Sequence, residues 1–375
     1  MPRFRAFPPE VTAQAKCRPL IVAEVVADRK EGSKMELSRR GFLVSTALGA
    51  FASLGAGASR PRDGADCPLK RGPLGKYVGV LAAGRYDAHV HVYPGEPNPD
   101  LLVKSFAEAG LTGGVAFSRC PNSWQTPNEK LLTPEEAMDN VIAWCSGSPS
   151  IYPFYWIDPA APNACELVDM AVEKGIYGFK VIRNGVRPVD ATTLPCYRKI
   201  AAVNKPVTFH SGILWDGRDS SDNFRPANWE GLLEVPHLRF ALAHISWPWC
   251  EECIAVYGKL LNAILRRGFD VPEMFIDTTP GTPKIFRRDA LAKVFTIGYD
   301  VADHVMFGTD CRVNNYNVGW SKNWQQTDDI IFAELGVGRT AIESVYRTGL
   351  QRYLFGGDNT QRKIPTPDGF EGNGR

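Results

Sequence analysis

The chain has 375 residues, 44% of them hydrophobic, and a formal charge of +2. That length suits one large soluble domain or two of ordinary size. The near balance of charge implies no broad field for nucleic acid or acidic lipid, and no stretch of about 20 strongly apolar residues offers a stable membrane span.

Residues 1–34 show little pattern. Then Leu37-Ser38-Arg39-Arg40-Gly41-Phe42-Leu43 leads into a mildly apolar stretch rich in Ala and Gly, ending Ala56-Gly57-Ala58. A charged region, a short apolar region and a small-x-small site, in that order, are the layout of a secretory signal. The paired arginines resemble a twin-arginine signal over residues 35–58. The alternative is a chance Arg-Arg ahead of a buried helix. Met35 is then the expected start, with 1–34 a mis-assigned extension and 59–84 a lead-in to the barrel. The resemblance implies passage, already folded, through the twin-arginine export machinery to the periplasm. Folding in a reducing cytoplasm means that the cysteines from Cys67 to Cys311 need not form disulfides. Cys250 and Cys253 form a C-x-x-C pair with no second pair nearby to complete a zinc site. Their spacing fits one turn of a packed helix.

Past Gly84, short apolar runs alternate with amphipathic segments. The runs are 85–91, 113–118, 151–157, 178–182, 207–210, 238–244, 274–277 and 305–310. Thr133-Pro134-Glu135-Glu136 reads as a capping box with proline at the first helical position. Gly110 and Gly175 stand where helix C-caps belong. Eight strand–helix alternations predict an α/β fold, a (β/α)8 TIM-type barrel of one domain over residues 85–375 with a C-terminal tail. An open doubly wound sheet would offer a Gly-rich loop after its first strand, where His89-Val90-His91 stands instead.

Four of the six histidines, His89, His91, His210 and His244, fall at the C-terminal end of a predicted strand. In a β/α barrel that end is the active-site face. Asp310 closes the eighth strand and Lys180 lies near the end of the fourth. The period of two puts His89 and His91 on one face. Counted the same way, Phe240 and Leu242 share the face of His244, with Ala241 and Ala243 toward the helices, while Met306 and Gly308 share that of Asp310. Two imidazoles and a carboxylate converging there suit a borderline metal such as zinc. Each residue has a plainer reading: a lone histidine is more often hydrogen-bonded structure, and Asp310 after Gly-Thr could cap a helix. His237 and His304 are assigned no role.

Tyr86-Asp87-Ala88-His89-Val90-His91, Pro206 to Gly212, Leu238 to His244 and Phe307-Gly308-Thr309-Asp310 together resemble the first-, fifth-, sixth- and eighth-strand motifs of the amidohydrolase superfamily, especially its amidohydrolase-related branch. The resemblance implies that His89 and His91 bind a divalent metal, most often zinc. Asp310 binds it or accepts a proton from its water. His210 would bind the same ion or a second one. His244 would bind a second ion, or hydrogen-bond water and substrate. Lys180 would bridge two ions if carboxylated, and otherwise binds no metal; the reading adopted is one ion, with two as the alternative.

Tryptophan and arginine are frequent after the strands, among them Trp124, Trp156, Trp215, Trp247, Trp249, Arg119 and Arg183. They suggest a deep apolar pocket for an aromatic or carboxylated small molecule, with Arg119 and Trp247 as substrate contacts, although large loops also cover themselves with such residues. The leading function is metal-dependent hydrolysis of an ester, lactone or amide through an activated water, with Asp310 and His244 catalytic. The alternatives are metal-dependent non-oxidative decarboxylation of an aromatic or enoic acid, and a non-catalytic periplasmic binding protein. The sequence leaves a homo-oligomer open.

Overall fold

A computed structural model describes residues 80–121, 131–183 and 187–358. The signal-like segment and Trp124 lie outside them. Eight strands follow the expected runs: β1 (Tyr86–His91), β2 (Gly113–Phe117), β3 (Ile151–Trp156), β4 (Gly178–Val181), β5 (Val207–Phe209), β6 (Arg239–Leu242), β7 (Glu273–Asp277) and β8 (Val305–Met306). A ninth, β9 (Cys311–Arg312), pairs with β1. All neighbours are parallel, in the order β8-β7-β6-β5-β4-β3-β2-β1-β9. The eighth strand is shorter than the apolar run suggested. Beyond it the chain still bonds to β1: Ala88 N donates to Phe307 O at 2.8 Å, and Asp310 N to His89 O at 2.9 Å. These contacts close a TIM-type barrel.

The helices are α1 (Pro99–Glu108), α2 (Pro134–Cys145), α3 (Ala164–Lys174), α4 (Leu194–Ala202), α5 (Cys250–Arg267), α6 (Lys284–Thr296), α7 (Val318–Glu334), α8 (Arg339–Glu343) and α9 (Gly349–Phe355). The Thr133 hydroxyl and the Glu136 carboxylate satisfy each other's backbone N–H, as the capping box predicts. Gly175 ends α3 at φ 91°, a left-handed turn that favours glycine. Cys250 and Cys253 occupy the first turn of α5, and burial pushes their thiols up to about 11 and about 12, as helix packing requires. Among the described cysteines, Cys165 is disulfide-bonded, while Cys145, Cys196, Cys250, Cys253 and Cys311 are free thiols. None of the described helices is long and apolar enough to cross a membrane.

Two packing layers result. Val90, Phe179, Val181, Phe209, Phe240, Leu242 and Ile276 pack outward with the helices. Ala88, Val115, Phe154, Ala241, Phe275 and Met306 fill the barrel, with Leu350, Tyr353 and Leu354 of α9 in the same cluster. Each fully buried large apolar side chain contributes about 1.5–3 kcal/mol. The face assignment of β6 is therefore corrected: Phe240 and Leu242 face the helices and Ala241 faces inward. His244 reaches the mouth by another route. The strand ends at Leu242, and His244, Ile245 and Ser246 coil through left-handed φ values of 65°, 48° and 54°.

Candidate metal centre

The first strand carries an extra residue. Tyr86 and Asp87 pair with Gly113 and Gly114, but Val90 pairs with Ala116, so the register slips between Asp87 and Val90. This bulge switches the pleat. Tyr86 and Ala88 face the barrel below it, Val90 faces the helices, and His89 and His91 turn to the mouth together. The buried Asp87 carboxylate fixes the bulge against the eighth-strand segment. It accepts from His89 N at 3.0 Å, Thr309 N at 3.0 Å, the Thr309 hydroxyl at 2.6 Å and the Tyr316 hydroxyl at 2.8 Å.

His89 Nε2 and His91 Nε2 lie 3.1 Å apart, and Asp310 Oδ1 is 3.4 Å from His91 Nε2 and 3.7 Å from His89 Nε2. The three residues present ligand atoms within 4.8 Å of one another. Donors about 2.0–2.1 Å from a tetrahedral zinc ion stand about 3.3 Å apart, so the spacing fits. Lys180 Nζ approaches His89 Nε2 at 3.2 Å and faces the ring of Phe117 at 4.8 Å. The ring of His244 is 5.4 Å from His89 and 5.0 Å from His210. All five residues predicted at strand ends, and Lys180, are thus brought together.

Protonation favours ligation. Burial first, and the Lys180 charge as well, holds the imidazoles of His89, His91, His210 and His244 below the usual histidine range, leaving each neutral with one lone pair. Burial opposes ionisation of Asp310, but the His91 hydrogen bond and the surrounding rings outweigh it and keep the carboxylate charged. His210 Nε2 and His244 Nδ1 are buried without a hydrogen-bond partner. Orphaned buried nitrogens are costly, and a ligand between them would remove the cost.

Asp277 was not among the residues the sequence singled out. Asp277, the last residue of β7, accepts from His89 Nδ1 at 2.6 Å and is fully buried. Nδ1 then carries the proton and Nε2 the lone pair aimed at His91, the arrangement that orients a metal-bound histidine. The signal was available: Asp277 stands two residues after the inward Phe275, on the same pleat face. Phe117, whose ring centroid is 4.8 Å from His89 and 5.2 Å from His91, and Phe224, 5.0 Å from His210, were also missed; Trp156 stands 6.0 Å from His91.

The predicted substrate contacts sit farther out. Arg119 is half-buried two residues past β2. Trp247 stacks between Trp215 and Phe286, each 6.2 Å away, in loops after β5 and β6 and at the start of α6. Arg183 pairs with Asp190 at 3.8 Å. His237 is exposed beside Asp270, and His304 lies at the other end of β7 against Glu273 at 2.9 Å, so neither joins the site.

The chain matches no protein-family model and no curated protein. Among solved structures, an amidohydrolase from Burkholderia multivorans is 12% identical over 73% of this chain and 99% of its own, with a TM-score of 0.50. A dihydroorotase from Campylobacter jejuni is 14% identical over 74% of this chain and 85% of its own (TM-score 0.46). An amidohydrolase 2 from Bifidobacterium longum subsp. infantis is 14% identical over 72% and 98% (TM-score 0.45). By its eight-stranded parallel barrel and by the first of these likenesses, the chain shares the fold of an amidohydrolase.

Proposed function

We propose that this chain is a metal-dependent hydrolase of the amidohydrolase superfamily, acting on an ester, lactone or amide of a small aromatic or otherwise apolar molecule. The observation that carries this reading is the convergence of His89 Nε2, His91 Nε2 and Asp310 at the barrel mouth, with His89 Nδ1 fixed by Asp277. His89, His91 and Asp310 would hold the ion, and His210 faces the same space. When bound, a divalent ion such as zinc supplies Lewis acidity, which polarises a carbonyl and lowers the pKa of water toward about 7.

The protein's own groups do the rest. Asp310, ionised and 41% exposed toward the mouth, accepts the proton of the attacking water. His244, neutral and with Nδ1 unpartnered, hydrogen-bonds the substrate. Phe117, Trp156 and Phe224 surround the imidazoles and limit bulk water, which favours an apolar substrate. Arg119 and Trp247 contact the part of the substrate that projects outward. Lys180, as an ammonium 3.2 Å from His89 Nε2, has no lone pair with which to bridge a second cation, which supports one ion rather than two. The Arg39-Arg40 pair supports export to the periplasm.

Metal analysis of the purified protein and of the His89→Ala/His91→Ala double variant tests the reading. The expected result is one divalent ion per chain in the wild type and none in the folded variant. Full metal content in the variant would refute the site. A panel of aryl esters, lactones and aromatic acids, followed for both acid and carbon dioxide, then separates hydrolysis from decarboxylation.

A further inference from the structure

Behind the seventh strand lies a fully buried ion pair that the proposed chemistry does not use. Arg287 on α6 and Asp328 on α7 are both 0% exposed. Arg287 Nε and Nη2 donate to the two Asp328 oxygens at 2.8 and 2.6 Å, and the guanidinium lies over Trp324 at 5.1 Å. Little in general physics favours this placement. Burying two charges is often no better for stability than a packed apolar pair. Arg287 also stands in the first turn of α6, where the helix dipole disfavours a cation.

The third donor shows what the pair does. Arg287 Nη1 donates to the carbonyl of Thr278 at 2.5 Å. That carbonyl and the N–H of Thr279 belong to one planar peptide unit. The same N–H donates to Asp277 Oδ1 at 2.8 Å, and the Thr279 hydroxyl donates to that oxygen too. Asp277 Oδ2 is left for His89 Nδ1 at 2.6 Å. A single line of hydrogen bonds therefore runs from Asp328 through Arg287, the 278–279 peptide and Asp277 to the ring of His89. Because the peptide is rigid, fixing its carbonyl fixes the direction of its N–H. That direction decides which Asp277 oxygen is occupied and which faces the imidazole. The guanidinium also polarises the peptide, which strengthens its N–H as a donor.

We propose that Arg287, held by Asp328, is a positioning residue for the site: it sets the 278–279 peptide plane that orients Asp277, and through Asp277 the imidazole of His89. Arg287 touches neither substrate nor ion. The metal part of the inference rests on the proposed function above; the orientation of His89 does not.

The test separates the two. Arg287→Met alone would leave Asp328 buried and unpaired and could unfold the protein, so the variant is Arg287→Met with Asp328→Leu, an apolar pair of similar bulk. The first readout is the far-downfield proton resonance of His89 Nδ1–H in metal-free protein, assigned by its loss in His89→Ala. The geometry predicts that this resonance moves upfield or broadens by exchange in the double variant while circular dichroism and Tm stay near wild type. The second is cobalt or zinc affinity by chelator competition, expected to weaken about tenfold, the effect of losing an outer support of a ligand. Arg287→Lys, with one donor able to reach Thr278 O, should recover part of both. An unchanged Nδ1–H resonance in the folded double variant would overturn the proposal whether or not the wild type holds metal. A wild type without metal but with a shifted resonance in the variant would retain the positioning role and sink only the metal reading.

Discussion

Gly281 provides a sharp probe of His244. A Cβ added there would lie 2.8 Å from His244 Cβ, 2.9 Å from Cγ and 3.0 Å from Nδ1, where ordinary contacts begin at 3.4 Å. The ring or the loop must give by about half an ångström. The ring is poorly able to yield. His244 is pinned at φ 65°, and its carbonyl accepts from Trp247 N at 3.0 Å and the Thr282 hydroxyl at 3.3 Å. Gly281 itself has no left-handed φ, so alanine is compatible with its backbone and would by itself stabilise by about 0.4–1 kcal/mol through the unfolded chain. Overpacking costs about 1–3 kcal/mol, so the net expectation is a loss of stability and a Tm lower by several degrees. A misplacement of about 1 Å costs on the order of a hundredfold in rate, so half of that predicts roughly tenfold. The assay is kcat/KM of Gly281→Ala on an activated aryl ester, with Tm and metal content measured on the same sample. Metal content should be retained, since His89, His91 and Asp310 are untouched. Wild-type Tm together with wild-type kcat/KM would show that His244 is not held where this contact places it.

Three other outcomes are expected. Lys180→Ala should keep its single ion, because the ammonium it removes is a competitor for His89 Nε2 rather than a ligand; two tight equivalents in the wild type, with one lost in the variant, would establish a bridging lysine instead. Acid stability should depend on Glu273: burial alone would raise its pKa, but the hydrogen bond and charge of His304 and the charge of Arg352 outweigh it and hold it at about 2 rather than 4.5. A folded pKa below the unfolded one stabilises above the unfolded value, here by about 3 kcal/mol, and that advantage disappears as pH falls from 4.5 toward about 2. Thermal unfolding of wild type and Glu273→Gln across that range should converge, and a constant gap would contradict the linkage. Finally, a chain starting at Met35 should be exported and its Arg39→Lys/Arg40→Lys form retained in the cytoplasm, as fractionation would show; normal periplasmic accumulation of the double-lysine form would refute the twin-arginine reading.

The strands were legible because parallel strands buried on both faces read as short apolar runs, and β1 to β7 start and stop within a residue or two of those runs. The shared face of His89 and His91 was also legible, but simple alternation from Tyr86 would have aimed both at the helices. The bulge between Asp87 and Val90 reverses that, and it depends on Asp87 reaching Thr309, 222 residues away. His244 was placed at the mouth for the wrong reason, since strand parity runs against it. Nothing local announces a left-handed turn at Ile245, a β-branched residue for which positive φ is an outlier. Arg287 escaped for a similar reason, since its partner Asp328 is 41 residues distant, beyond any window of periodicity; Asp277 was within reach of pleat parity, but its partner His89 lies 188 residues away.

The distribution of these irregularities is itself an argument. Of the seven non-glycine residues with positive φ among the described residues, Asn204, His237 and Asp303 stand away from the mouth. The other four, His244, Ile245, Ser246 and Asp310, flank the imidazole cluster, and among them Ile245, a β-branched residue, is the one whose left-handed backbone costs about 1–3 kcal/mol. The orphaned nitrogens of His210 and His244 are in the same place. At the opposite end of the barrel, Glu273 is bonded to His304 and Arg352, and Arg239 donates to Tyr353 O, Leu354 O and Asn204. Other buried polar atoms without a partner, such as Asn140 Oδ1 and Trp144 Nε1, lie on the outer helices, but the two orphaned imidazole nitrogens are both at the mouth. A scaffold selected for stability alone has no reason to set a left-handed turn and two orphaned imidazole nitrogens together at the C-terminal face of its strands, the end at which β/α barrels carry their sites.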